Sequence, residues 1–161
     1  AERFVARMRN DLTELARIAE EVEGFGERRG LDARTVYNVN LILDELLTNT
    51  ISYGYADDGD HAIEIAIDHR DDLLTITVED DAMPFDTLSA PAPDLDAPLE
   101  DRPIGGLGIH IVRTFMDDVR YERVEGRNRI VMTRRTGAPA ADGRNDERTS
   151  DGRKRGTKRW T

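Results

Sequence analysis

The run LDELLTN, residues 43–49, lies within a longer stretch of helical periodicity. Apolar side chains recur at three- and four-residue spacing from Val36 to Ile51, which is typical of a helix with one face in the core. Asp32 stands before this stretch as an N-cap, and Gly54 follows it. We therefore predict a long helix from Asp32 that ends near Gly54.

Other elements are predicted on both sides of this helix. Weak alternation over residues 2–8 indicates a short edge strand. A helix then follows, capped by Asn10 or Asp11 and carrying apolar residues at helical spacing from Leu12 to Val22. We expect Gly24 and Gly26 to fray this helix and Gly30 to end it.

Beyond the long helix, the period of the hydrophobic pattern changes to two. Residues 63–67 and 74–78 alternate across a polar turn and predict an antiparallel hairpin. Residues 82–104 contain five prolines and predict a long loop, of a kind that is usually either a functional lid or disordered. A helix from Gly108 and a last strand pair, residues 117–124 and 128–134, complete the pattern.

Composition restricts the class of protein. The chain has 161 residues, 38% of them hydrophobic, no cysteine and a net charge of −10, which suits one soluble domain and excludes disulfides and cysteine-based zinc sites. Seven basic and four acidic side chains fall in residues 137–161, which we expect to be a disordered basic tail after an acidic domain, residues 1–136. Without a signal segment or a bilayer-length apolar run, we expect a cytoplasmic protein that binds neither nucleic acid nor membrane directly.

Glu45 and Asn49 project from one face of the long helix because they stand four residues apart. A carboxamide oxygen is a hard, neutral ligand that suits Mg²⁺ carrying a nucleotide, and a carboxylate can accept a proton from an attacking hydroxyl. By itself this spacing is far more typical of a solvated polar helix face, so it gains meaning only beside other motifs.

A second motif, DDAMPFD at residues 80–86, begins where the hairpin strand ends. The Asp80 carboxylate can accept a hydrogen bond from an exocyclic amino group, such as that of adenine. Ala82 is small enough for a base to approach the backbone, and Phe85 can cover the base. The alternative is an ordinary acidic turn after a strand.

A third motif, GGLG at residues 105–108, lies between the long loop and a predicted helix. Glycines let backbone amides close on phosphate oxygens, and a helix start adds unpaired N–H groups and the positive end of the dipole. The alternative is a flexible hinge before a helix. The conjunction of the three motifs in this order favours a nucleotide site.

Together the three motifs resemble those of the GHKL ATPase superfamily, and more narrowly those of the small anti-sigma-factor serine kinases. The run at 43–49 matches the N box of that family, DDAMPFD matches its G1 box, and PIGGLGIHIV at 103–112 matches its G2 box. Residues 126–132 look like the closing strand of the family.

The resemblance implies a Bergerat-type ATP-binding fold. This is an α/β sandwich (α+β) with a mixed, mainly antiparallel sheet, helices on one face and a lid over ATP. It also implies that Asn49 holds Mg²⁺, that Glu45 is the general base toward a serine, and that Asp80 binds the adenine amino group. The other implied ATP-binding residues are Ala82, Phe85, Gly105, Gly106, Leu107 and Gly108.

The function implied is that of an ATP-dependent serine/threonine protein kinase that phosphorylates a serine on a STAS-domain antagonist in partner switching. A sigma factor is the second implied partner, and a homodimer is the expected assembly. The alternative is a non-catalytic module in which the bound nucleotide gates capture of a sigma factor or another regulator. Ala82 stands where the family usually has glycine. Histidine kinases are a poor match, since none of the three histidines lies on the N-terminal helix.

Overall fold

A computed structural model describes residues 3–84 and 107–136 of the chain. The expected tail, residues 137–161, lies outside the described residues, as does most of the predicted loop. The elements in chain order are β1 Arg3–Arg9, α1 Leu15–Arg29, α2 Ala33–Tyr53, β2 Ala62–Arg70, β3 Leu73–Asp80, α3 Leu107–Phe115, β4 Asp118–Val124 and β5 Arg127–Arg135. A short 3-10 turn, Leu12–Glu14, lies between β1 and α1.

The strands form one sheet in the order β1-β2-β3-β5-β4. All pairings between the described strands are antiparallel, so the parallel component of a mixed sheet is absent from this part of the chain. β1 is an edge strand, as predicted. The two predicted hairpins turn at Asp71–Asp72 and Glu125–Gly126, where all four residues have positive φ. Such two-residue turns match the right-handed twist of the strands they join.

The core lies between one face of the sheet and the helices. Alternate residues of the strands are buried, as the period-two pattern predicts; they include Phe4, Ala6, Met8, Ile63, Ile65, Ile67, Leu74, Ile76, Val78, Ile130 and Met132. One apolar cluster joins these strand residues to Phe25 of α1, Leu46 of α2 and Val112 of α3. The predicted sandwich of a sheet with helices on one face is therefore confirmed.

The predicted fraying of α1 at Gly24 and Gly26 is wrong, because the helix continues through both residues to Arg29. Gly26 is buried against α2, where an added Cβ would lie 2.5 Å from Cγ2 of Val36. This glycine therefore allows two helices to approach closely. The predicted stop at Gly30 is confirmed, since that residue has φ +67° and its neighbour Leu31 donates its N–H to the Gly26 carbonyl.

α2 begins and ends where the sequence predicts. The Asp32 side chain accepts a hydrogen bond of 2.6 Å from the Thr35 N–H, and Gly54 follows the last helical residue. α2 packs against both α1 and α3, so it is the central helix of the layer. None of the helices in the described part of the chain is long and apolar enough to cross a membrane.

Candidate functional site

The Glu45/Asn49 pair lies in the middle of α2, and both side chains are half-buried. Leu46 and Leu47, which are fully buried, hold this part of the helix in the core. The pair is therefore carried by a rigid element, with its two side chains one turn apart on the same face. The neighbouring Asp44 is exposed and lines a groove between α1 and α2 instead.

Asp80 is the last residue of β3, and its side chain points into the core face of the sheet with only 5% exposure. Its Oδ1 accepts two hydrogen bonds, one of 3.0 Å from the Ala82 N–H and one of 2.9 Å from Nδ2 of Asn128. Among the described residues, no hydrogen bond reaches the second oxygen, Oδ2. A carboxylate oxygen therefore remains for a donor on a ligand.

Asn128 connects Asp80 to the outer strand β4. Its Nδ2 also donates to the Met83 carbonyl at 2.9 Å, while its Oδ1 accepts from the Tyr121 hydroxyl at 2.7 Å and from Nη1 of Arg123 at 3.0 Å. The same Arg123 nitrogen donates to the Ala82 carbonyl at 2.8 Å. Side chains of β4 and β5 thus hold the segment that follows Asp80.

Gly54 joins the helix motif to the strand-end motif. Its carbonyl accepts a hydrogen bond of 2.9 Å from the Met83 N–H, and a Cβ at this position would lie 3.0 Å from the Ala82 Cβ. Asn49 precedes Gly54 by five residues, which places it about 7.5 Å away along the helix axis.

The loop after α2 places a stacked tyrosine and histidine near the end of β3. The Tyr55 ring stacks on the His61 imidazole with ring centroids 4.3 Å apart. The Tyr55 hydroxyl is buried and has no hydrogen-bond partner among the described residues. Burial first, and then the carboxylates of Asp80 and Asp81, raise the pKa of this hydroxyl, so it stays a neutral donor near Asp80.

His61 lies between two carboxylates at the same end of the sheet. Its Nε2 is 2.8 Å from Oδ1 of Asp57, and its Nδ1 is 3.1 Å from Oδ2 of Asp81. The hydrogen bond to Asp57, followed by that to Asp81, raises the pKa of the imidazole. This contact ties the loop after α2 to the residue next to Asp80.

The glycine motif is only partly within the described residues. Leu107 and Gly108 are the first two residues of α3, which packs against α2, while Gly105, Gly106 and Phe85 lie outside the described part of the chain. The first N–H groups of α3 have no partner within the helix, and they carry the positive end of its dipole. The start of α3 therefore suits an anionic group.

These donors and acceptors fit a magnesium nucleotide. Within residues 3–84 and 107–136, no group of three or more acidic or histidine side chains could hold a metal ion by itself. Asn49 would instead be one ligand of a Mg²⁺ ion that is completed by phosphates and water, which is how Mg²⁺ usually binds. The available Asp80 oxygen and the unpaired Tyr55 hydroxyl suit the polar edge of a base.

The sequence motifs do not include four further residues at this site, Asn128, Arg123, Tyr121 and Gly54. The signal for Asn128 was present, because it continues the buried alternation of Ile130 and Met132 with a polar side chain. Arg123 and Tyr121 carried no such signal, since their role depends on the pairing of β4 with β5.

Comparison with known proteins shows the family of this chain. The family described as histidine kinase-like ATPase domain matches residues 8–134. The chain is 28% identical over 112 residues to the serine/threonine-protein kinase BtrW of Bordetella bronchiseptica, covering 70% of this chain and 79% of that protein. It is 28% identical over 133 residues to an anti-sigma F factor of Clostridium novyi, covering 82% and 90%. It is 30% identical over 116 residues to the serine-protein kinase RsbW of Bacillus cereus, covering 69% and 71%.

A solved structure supports the fold. The crystal structure of the RsbU and RsbW domains of a Mycobacterium tuberculosis protein matches with a TM-score of 0.61 at 15% identity, over 87% of this chain and 34% of that one. At this identity the match is evidence for the fold alone. The three motifs, the sheet-and-helix sandwich and the family match over residues 8–134 agree. The chain therefore belongs to the histidine kinase-like ATPase domain family, among the anti-sigma-factor serine kinases.

Proposed function

We propose that this chain is an ATP-dependent protein serine/threonine kinase that phosphorylates a serine on a STAS-domain antagonist. The observation that carries the proposal is the Glu45/Asn49 pair, which shares one face of the central helix in a chain with relatives named as serine kinases. Glu45 supplies the carboxylate that such a reaction needs, and Asn49 supplies a neutral oxygen for the metal.

The proposed reaction moves the γ-phosphoryl group of bound Mg-ATP to a serine hydroxyl. Glu45 accepts the hydroxyl proton while the bond between the serine oxygen and the γ-phosphorus forms and the bond from that phosphorus to ADP breaks. Asn49 would supply one oxygen ligand to Mg²⁺, which would neutralise charge on the phosphates. Catalysis rests on positioning and charge neutralisation, because phosphoryl transfer asks little covalent chemistry of the protein.

The nucleotide itself is held at two ends in this proposal. Asp80 accepts a hydrogen bond from the adenine amino group, Ala82 lets the base approach the backbone, and Phe85 covers it. Backbone amides at the start of α3 bind the phosphates. The residues assigned to this phosphate contact are Gly105, Gly106, Leu107 and Gly108.

The proposed partners follow from the relatives. The name of the Clostridium novyi relative supports a sigma factor as a second partner of this chain. We further propose that the protein works in the cytoplasm as a homodimer, since symmetric dimers are the commonest assembly of soluble proteins.

Phosphate transfer from γ-labelled Mg-ATP to the STAS-domain proteins of the same organism tests this function. Glu45→Gln keeps the shape of the side chain but removes the base, so transfer should fall about 100-fold or more while the Kd for ATP changes little. Asp44→Asn is the matched control, because it removes the same charge one residue away on the exposed side of α2. Equal transfer by Glu45→Gln and the wild type would show that Glu45 is not the base.

A second candidate function is a nucleotide-gated binding module without phosphate transfer. The anti-sigma F factor relative favours it, since that name describes a protein that acts against a sigma factor. If ATP binds but no STAS-domain protein is labelled, this candidate predicts that sigma-factor capture differs between ATP and ADP. Capture that ignores the nucleotide would exclude the gated module.

A further inference from the structure

We propose that Asn128, held in place by Arg123, is a positioning residue that orients Asp80 and so makes the site selective for a purine with an amino group at C6. This inference rests on the proposed function, in which the Asp80 carboxylate binds the base. It adds two residues outside the three sequence motifs, one on β5 and one on the outer strand β4.

The first support is the register of the sheet. Asp80 and Asn128 are direct partners in the antiparallel pairing of β3 with β5, and they are only 5% and 4% exposed. They continue the buried faces of Val78 and Ile130, so two polar side chains end an apolar face. Burial of polar groups is costly unless they are hydrogen-bonded, which makes a fixed network necessary here.

The second support is the direction of the Asn128 amide. The guanidinium of Arg123 can only donate hydrogen bonds, and its Nη1 lies 3.0 Å from the Asn128 oxygen. The amide nitrogen must then face the other way, toward Oδ1 of Asp80 at 2.9 Å and the Met83 carbonyl at 2.9 Å. A flipped amide would point its oxygen at acceptors and its nitrogen at a donor. Arg123 therefore fixes which end of the amide meets Asp80.

The third support is the effect of the fixed Asn128 amide on the orientation of the Asp80 carboxylate. The N–H groups of Asn128 and Ala82 both donate to Oδ1, which fixes the plane of the carboxylate and leaves Oδ2 as the oxygen for a ligand. An acceptor held in place favours a 6-amino purine, which presents a donor there. It disfavours a 6-oxo purine, which presents an acceptor. Selectivity thus depends on the residues that keep the carboxylate from turning.

The test is the ratio of dissociation constants for IDP and ADP, measured by calorimetry on the full chain. The wild type should prefer ADP by about tenfold or more, the usual effect of one hydrogen bond to a charged group. Asn128→Ala and Arg123→Met should each bring the ratio several-fold closer to one, while Arg123→Lys should largely restore it. Arg129→Met is the matched control, because that arginine of β5 pairs with Glu79 and Glu122 away from Asp80, and its ratio should stay unchanged.

If Asn128 and Arg123 had a purely structural role, their variants would bind ADP and IDP more weakly by the same factor. The ratio of the two dissociation constants would then stay at the wild-type value, which would overturn the inference. Asp80→Asn separates this failure from failure of the proposed function. If Asp80→Asn abolishes the preference for ADP over IDP but the Asn128 and Arg123 variants retain that preference, only the inference is wrong. If Asp80→Asn also retains the preference for ADP, the proposed adenine contact is wrong. Should Asn128→Ala fail to fold by circular dichroism, the exposed Arg123→Met variant decides the question.

Discussion

Replacement of Gly26 by alanine adds one methyl group at the place where α1 meets α2, the helix that carries Glu45 and Asn49. The added Cβ would lie 2.5 Å from Cγ2 of Val36, a distance that real Cβ contacts do not show. One helix must therefore move, or Val36 must leave its side-chain position. The matched variant is Gly24→Ala, two residues earlier in α1, where the nearest neighbour is the flexible Arg28 guanidinium at 3.2 Å.

The expected changes in the free energy of unfolding follow from two opposing effects. Alanine stabilises a helix interior by about 0.5–1 kcal/mol relative to glycine, and both variants gain this. Overpacking of a well-packed contact costs about 1–3 kcal/mol, and only Gly26→Ala incurs it. We expect Gly24→Ala to be neutral or more stable than the wild type. Gly26→Ala should be less stable than Gly24→Ala by about 1–3 kcal/mol.

Urea denaturation followed by circular dichroism measures both free energies of unfolding. A double-mutant cycle with Val36→Ala identifies the contact, because removal of the Val36 methyl groups should relieve most of the clash in the Gly26→Ala background. This prediction is refuted if Gly26→Ala is as stable as Gly24→Ala. It is also refuted if the two substitutions at positions 26 and 36 act additively.

Two further predictions concern the loop that follows α2. Gly54→Ala should weaken ADP binding about tenfold or more, because its Cβ would lie 2.5 Å from the Thr50 carbonyl oxygen and 3.0 Å from the Ala82 Cβ, which would displace the segment after Asp80. An unchanged Kd in calorimetry would contradict this. The hydrogen bonds of His61 to Asp57 and Asp81 raise the pKa of the imidazole above its ordinary value of about 6.5. Their stabilising effect is therefore complete below pH about 6.5 and is lost as the pH rises through the higher folded-state pKa. The difference in unfolding free energy between the wild type and His61→Gln should shrink from pH 6 to pH 9, and a constant difference would show that the cluster does not titrate.

The hairpins, both ends of α2 and the end of α1 at Gly30 were predictable because their causes are local. Asp32 caps α2 through a bond to a residue three positions later, and Gly30 ends α1 with a positive φ. The alternation of β2 and β3 likewise needs only the period of a strand. Gly26 was misjudged for the opposite reason: local propensity disfavours glycine in a helix, but packing against a second helix requires it here.

The candidate site was predictable only where it lies within continuous motifs. Asp80 stands in such a motif, and its position at the end of β3 agrees with the prediction. Asn128 stands 48 residues later, and Arg123 belongs to yet another strand. Nothing near these residues in the sequence says that they meet Asp80, since their contact depends on which strands pair and in which register.

The sequence by itself determined the order of the elements, the one-sided core and the family, because periodicity, caps and contiguous motifs arise from interactions between residues close in the chain. Only the tertiary structure decided that β5 lies between β3 and β4, which sets Asn128 directly opposite Asp80. It also decided that the Gly54 carbonyl accepts a hydrogen bond from Met83, in the segment after β3. Such contacts depend on the packing of the whole sheet against its helices, because a strand has no local preference for one neighbour over another.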